Sequence, residues 1–216
     1  MMIFLNSCEA KTFNLETDTI SIVDNEQVWY ISEFPNSCPS CVWPHKITFG
    51  KDTIINSLVY KEILDFRGEE YESESKAYSL GYLYETTDKK VYWNVSLFGH
   101  PSADILIYDF NAQINDTIYN YWIVTNIDSV NILGTKRKRI ELRNCDSKQN
   151  YWIEGIGDLS DLLAYPSLAI CDFKSNIVGY KQGASGFKLN CVEKGSNIIY
   201  KNSENNNCWF YKGYDK

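Results

Sequence analysis

Along nearly the whole chain, apolar residues alternate with polar ones in short runs rich in β-branched and aromatic side chains. Asn, Asp or Gly interrupts these runs roughly every 8–12 residues. A period of two cannot make an apolar stripe on a helix; it gives a strand one face for a core and one for solvent. DTII (52–55) and LVY (58–60) flank Asn56 and Ser57, and GYLYE (81–85) and VYWNV (91–95) flank Asp88 and Lys89. Residues 122–130 and 136–142 flank Leu133 and Gly134, and Cys191 and NIIY (197–200) flank Lys194 and Gly195. Ile20 and Ile22 alternate before a turn at Asp24 and Asn25, and VWYI (28–31) returns. These turn residues tolerate the positive φ or side-chain-assisted backbone that tight hairpins need. Helical spacing is confined to residues 159–165, where Pro166 stops it. The expectation is an all-β fold of antiparallel hairpins forming a barrel or a two-layer sandwich. Of the 216 residues, 1–13 are assigned to a signal remnant or tether and 14–216 to a single domain, because no Pro- or Ser-rich linker divides them.

The amino terminus bears on location. LNSC (5–8) has the aliphatic, polar and small spacing of a lipoprotein signal box, with Cys8 as the lipid acceptor, although the apolar core and basic leader are short. Setting Cys8 aside, the even remainder of the seven cysteines fits an oxidising compartment. CPSC (38–41) has the spacing of redox and zinc sites. Its proline-rich setting and the lack of a second pair instead favour a local disulfide of Cys38 and Cys41. After the hairpin at Gly195 the chain can double back, which would bring Cys208 beside the strand that carries Cys191. The expected address is the cell envelope, at the outer membrane or periplasm, or outside the cell, with membrane contact only through an N-terminal lipid.

A net charge of −7 argues against nucleic acid, whose binding rests on cationic contacts to phosphate. KRKR (136–139) is then expected to be a solvated, charge-paired strand, with Arg137 and Arg139 on one face and Asp128 supplied by the neighbouring strand. His45 and His100 stand apart from acid and nucleophile partners in the sequence and are expected to be structural or superficial. The glutamates of residues 67–75 lack the glycine turn of a calcium loop and are expected to be solvated. Four Asp-Ser/Thr-aliphatic triplets, at 18–20, 52–54, 116–118 and 128–130, match an O-glycan acceptor pattern and equally suit strand starts. No cofactor or metal is expected.

The most specific string is WIEGIG (152–157), followed by DLSDLL (158–163) and Tyr165-Pro166. It lacks the third glycine, helix and parallel strand of a dinucleotide fingerprint, so a strand bending at Gly155 and Gly157 is expected. Trp152, Glu154, Gly155 and Gly157 thus form a motif of unassigned role, with Glu154 accepting hydrogen bonds from amides or pairing with an arginine. Together with YDFN (108–111), NDTI (115–118) and the closing Cys191, NIIY (197–200) and Cys208, the string resembles a family of uncharacterised exported proteins of Bacteroidetes, over most of the chain. Asn115, Asp158 and Asp161 depart from that family's Gly, Ser and Gly, and no sorting tail follows Lys216, which favours lipid anchoring. The resemblance points to the same Cys191–Cys208 pair and carries no activity.

The leading expectation for function is a non-enzymatic envelope domain that binds or presents a protein or a glycan. Sixteen tyrosines and six tryptophans exceed what the core requires, so any small ligand is expected to meet an aromatic surface. The alternatives are an envelope hydrolase using Glu154 with a second carboxylate, and a carrier with a cavity lined by Trp93, Tyr108 and Trp122.

Overall fold

The computed structural model describes residues 20–35, 41–67, 77–94, 104–119, 122–144, 149–159, 185–203 and 208. The described residues contain strands and turns and no helix. Six strands follow one another as a meander: β1 (Gln27–Pro35), β2 (Trp43–Ile55), β3 (Leu58–Arg67), β4 (Tyr78–Glu85), β5 (Lys90–Asn94) and β6 (Asp104–Asp109). The chain then crosses to a second meander of β7 (Thr117–Ile118), β8 (Trp122–Ile132), β9 (Thr135–Arg143), β10 (Gln149–Ile153) and β11 (Gly157–Asp158). It returns as β12 (Ser185–Lys194) and β13 (Asn197–Lys201) to pair with the outer side of β1. The result is two antiparallel sheets, one of eight strands in the order β13-β12-β1-β2-β3-β4-β5-β6 and one of five in the order β11-β10-β9-β8-β7. Both sheets are curled into half-barrels.

The curl has a local origin. Register shifts interrupt six of the pairings, among them β2–β3 between Phe49 and Asp52, β3–β4 between Ile63 and Leu64, and β5–β6 between Val91 and Tyr92. Each extra residue bends its strand and increases the twist. The tight turns fall where the sequence places them, with positive φ at Asn56, Ser57, Lys89, Leu133, Gly134 and Gly195. One expectation fails at the start of the described chain. Residues 20–23 form no strand but a bend, held by the Glu85 carboxylate, which accepts from the Ser21 hydroxyl and the Ile22 and Val23 amides. Two of the triplets likewise lie inside strands rather than at their starts. Asp52 in β2 pairs with Lys61, and Asp128 in β8 pairs with Arg139.

The two sheets share one apolar core. Trp29, Ile31, Ile47, Ile63 and Leu83 face it from the large sheet, and Val124, Ile140, Leu142, Trp152 and Ile153 face it from the small one. Trp93, Tyr108 and Trp122, proposed above as cavity lining, are instead buried in this core. Tyr108 stacks on Phe110 and meets Trp152 edge-on, with centroids 5.6 and 5.1 Å apart.

On the other side of the large sheet, Cys191 and Cys208 are joined as a disulfide, with sulfurs 2.04 Å and Cα atoms 5.1 Å apart, and pack against Tyr30. The pairing closes a segment of 17 residues onto β12. Cys208→Ser should therefore lower stability by about 3 kcal/mol, the chain-entropy cost released on opening such a loop. Urea unfolding of oxidised wild type and variant reads this directly, and superimposable curves would contradict it. Cys41 is also disulfide-bonded; Cys8 and Cys38 lie outside the described residues.

Candidate functional site

The structure makes the WIEGIG string a clasp between the sheets. From Trp152 to Asp158 every residue is buried. A turn in this setting exposes carbonyls that no strand partner can satisfy, and buried carbonyls require partners. Three consecutive ones each receive a side-chain donor: Arg137 Nη1 to Glu154 O at 3.1 Å, Gln27 Nε2 to Gly155 O at 2.7 Å and Trp29 Nε1 to Ile156 O at 2.8 Å. Two of these donors lie on β1, in the other sheet. The Tyr108 hydroxyl accepts from the Asp158 amide at 3.1 Å, and the Leu189 amide donates to Leu159 O at 3.0 Å. Outside the turn, the Glu154 carboxylate is paired with the Lys89 ammonium, so its described partner is a lysine rather than the expected arginine. Arg137 bonds the backbone of Glu154 instead of its side chain.

The basic run divides accordingly. Asp128 of the neighbouring strand supplies the expected charge pairing, accepting from Arg139 in a two-pronged pair at 2.9 and 2.6 Å. Arg137, expected to be solvated beside it, is buried, and burial holds its pKa below the ordinary value against the opposing charge of Glu154. Lys138 also turns inward, donating to Phe110 O at 2.6 Å. The sequence shows four exposed cations here because it does not show where the clasp passes.

His45 is not isolated from acids. Neighbouring strands bring Asp65 to its Nδ1 at 3.0 Å and Glu33 to its Nε2 at 3.1 Å, and Arg67 Nε donates to Asp65 at 2.6 Å. Burial pulls the imidazole pKa down, but the hydrogen bond and charge of Asp65, joined by Glu33, outweigh it and leave the value raised. A raised folded-state pKa means that the protonated ring stabilises the fold fully below the unfolded value, about 6.5. That contribution is lost as pH climbs through the folded value. The melting temperature of wild type relative to His45→Gln should therefore fall as pH rises from about 6.5. A pH-independent difference between the two proteins would contradict this. His100 lies outside the described residues.

A different surface has the features of a binding site. On β3 to β6, alternation and register place two rows on the face opposite the core. Tyr60, Tyr84 and Tyr92 form one row across β3, β4 and β5, and Tyr82, Asn94 and Asp104 form the next across β4, β5 and β6. Tyr60 meets Tyr84 edge-on at 4.7 Å, and Tyr84 stacks on Tyr92 at 5.0 Å with an 11° interplanar angle. The Tyr60 hydroxyl donates to Asp104 at 2.8 Å and Asn94 Nδ2 donates to its other oxygen at 2.9 Å, tying the rows together. Tyr60 is buried beneath this layer, while Tyr82, Tyr84 and Tyr92 are half-buried and Asp104 is exposed. Burial, reinforced by the Asp104 carboxylate, raises the pKa of both Tyr60 and Tyr84, so their hydroxyls stay protonated donors. The arrangement offers apolar ring surface rimmed by hydroxyls, with a carboxylate that has lone pairs beyond the two in use. Beside Tyr84, a groove of about 400 Å³ runs past Val59, Lys61, Thr87 and Lys89. Among the described residues no group of three or more His, Cys, Asp or Glu is placed to hold a metal ion. No family model, curated protein or solved structure matches the chain.

Proposed function

We propose that the chain is a non-catalytic binding domain of the cell envelope, anchored by a lipid on Cys8, whose tyrosine face takes a glycan. The observation that carries this reading is the Tyr60–Tyr84–Tyr92 row with Asp104 and Asn94 at its side. Pyranose rings present C–H faces that pack on aromatic surface and hydroxyls that need directional partners, and this surface supplies both. Tyr60, locked to Asp104, fixes the layer, so little side-chain freedom remains to be lost on binding. The clasp explains WIEGIG as architecture, which leaves Glu154 with a structural task. The disulfide of Cys191 with Cys208 is in keeping with an exported protein, and the resemblance to exported Bacteroidetes proteins supports the same address. A glycan array probed with wild type and with Tyr92→Ala tests the reading. The expected result is retention of one sugar class by wild type and its loss by the variant. Binding that is unchanged by the substitution would remove the proposal.

A further inference from the structure

A second exposed feature lies at the end of the molecule where the described chain begins. The β2–β3 hairpin turns at Asn56 and Ser57, with φ of 50° and 67°. Around this turn Ile54 is 75% exposed, Leu58 43% and Val59 56%. Ile54 pairs with Val59 and Ile55 with Leu58, so the two pairs behind the polar Asn56-Ser57 turn point to opposite faces and make both apolar. A hairpin apolar on one face would suit a second sheet; one apolar on both suits a medium that surrounds it. Just below the tip, Asp52 and Lys61 form an ion pair at 2.8 Å and Lys51 is exposed, so a charged collar follows the apolar end.

The position of this tip narrows the choice of medium. Val59 and Lys61 line the same groove as Ile20, Ser21 and Val23, so the first described residues lie beside this hairpin. The Glu85 carboxylate holds residues 21–23 in that place. The turn lies about two strand residues, roughly 7 Å, beyond Val59. The stretch of about twelve residues from Cys8 to Ile20 spans at most about 40 Å when fully extended. A lipid on Cys8 would therefore keep this end of the molecule close to the bilayer, at a high effective concentration.

We infer that the tip of the β2–β3 hairpin, Ile54, Leu58 and Val59, is a second membrane contact that inserts shallowly into the lipid interface beside the tether. This adds to the envelope-anchoring reading and rests on it for the orientation. A shallow apolar contact beside the tether adds to the hold of the lipid, because membrane attachment strengthens with each apolar group buried. The net charge of −7 makes apolar insertion, not attraction to anionic headgroups, the source of the contact.

The test is flotation of the full chain carrying Cys8→Ser, which has no lipid acceptor, with phosphatidylcholine vesicles at millimolar lipid. The expected result is a measurable bound fraction, insensitive to added salt. It should fall at least tenfold when Ile54→Ser, Leu58→Ser and Val59→Ser are combined. These exposed positions leave the core untouched, and circular dichroism of the combined variant checks its fold. No flotation of the Cys8→Ser chain, or equal flotation with and without the tip substitutions, would overturn the inference. So would a halving of solution mass in the combined variant, which would assign the tip to a second copy of the chain. Fractionation of cells expressing the unsubstituted chain and Cys8→Ser tests the anchor separately, so failure of the tether and failure of the tip are distinguishable.

Discussion

Gly155→Ala should destabilise the fold by about 3 kcal/mol, as a strained backbone and an overpacked core together produce. At Gly155 φ is +71°, and an added Cβ would lie 2.2 Å from Ile20 Cγ2 and 2.7 Å from Arg137 Nη1. Both approaches are shorter than 3.0 Å, so something must shift to admit the methyl. Ile20 leads into the bend held by Glu85, and Arg137 is committed to Glu154 O. Gly134 supplies the control, because its φ is +87° and an added methyl there would meet nothing within 4 Å. Gly134→Ala should therefore cost only the backbone term, about 1 kcal/mol. The difference between the two variants in urea unfolding isolates the packing of the clasp. Equal losses would mean that the string from Trp152 to Asp158 does not hold the sheets together.

Tyr84→Ala should weaken glycan binding by about 2 kcal/mol, roughly thirtyfold, the scale at which a central aromatic anchor acts. Tyr84 is the middle ring of the row, in contact with Tyr60 on one side and Tyr92 on the other. Its removal deletes ring surface and frees Tyr92, while Tyr60 stays tied to Asp104. Tyr84→Phe retains the ring, and it should keep most of the affinity where packing dominates. Asp104→Asn should cost less than Tyr84→Ala, since it leaves the rings in place while weakening the hydrogen bond from Tyr60. Titration calorimetry with the sugar class selected by the array ranks the three. A loss in Tyr84→Phe as large as in Tyr84→Ala would assign recognition to the hydroxyl rather than the ring.

The hairpins are legible in the sequence because their signals are local. Asn56 with Ser57, and Leu133 with Gly134, carry the positive φ of their turns, and the flanking alternation marks the strands. The partition into sheets of eight and five strands is not legible. β1 joins β12 across a separation of 150 to 167 residues, and tertiary packing, not local preference, selects that partner. The tyrosine face is half visible. Alternation alone sets Tyr82, Tyr84, Tyr92 and Asn94 on one side of their hairpin, but Tyr60 and Asp104 join them through β3 and β6. Bulges shift the register of both of those pairings, and no local signal in the sequence reports them. The surroundings of Arg137, which departs from expectation, and of His45, which is structural as expected, escape the sequence for one shared reason. Each takes its character from a partner on another strand or turn, the carbonyl of Glu154 for one and the carboxylates of Asp65 and Glu33 for the other.

Ring-proton NMR during a titration with the selected glycan tests most directly that the tyrosine face is the binding surface. The expected result is that the ring signals of Tyr84 and Tyr92 shift together and saturate at one affinity, while the indole signals of Trp29 and Trp152, buried in the clasp and core, stay in place. Perturbation confined to other rings, with Tyr84 and Tyr92 unmoved at saturating glycan, would contradict the account.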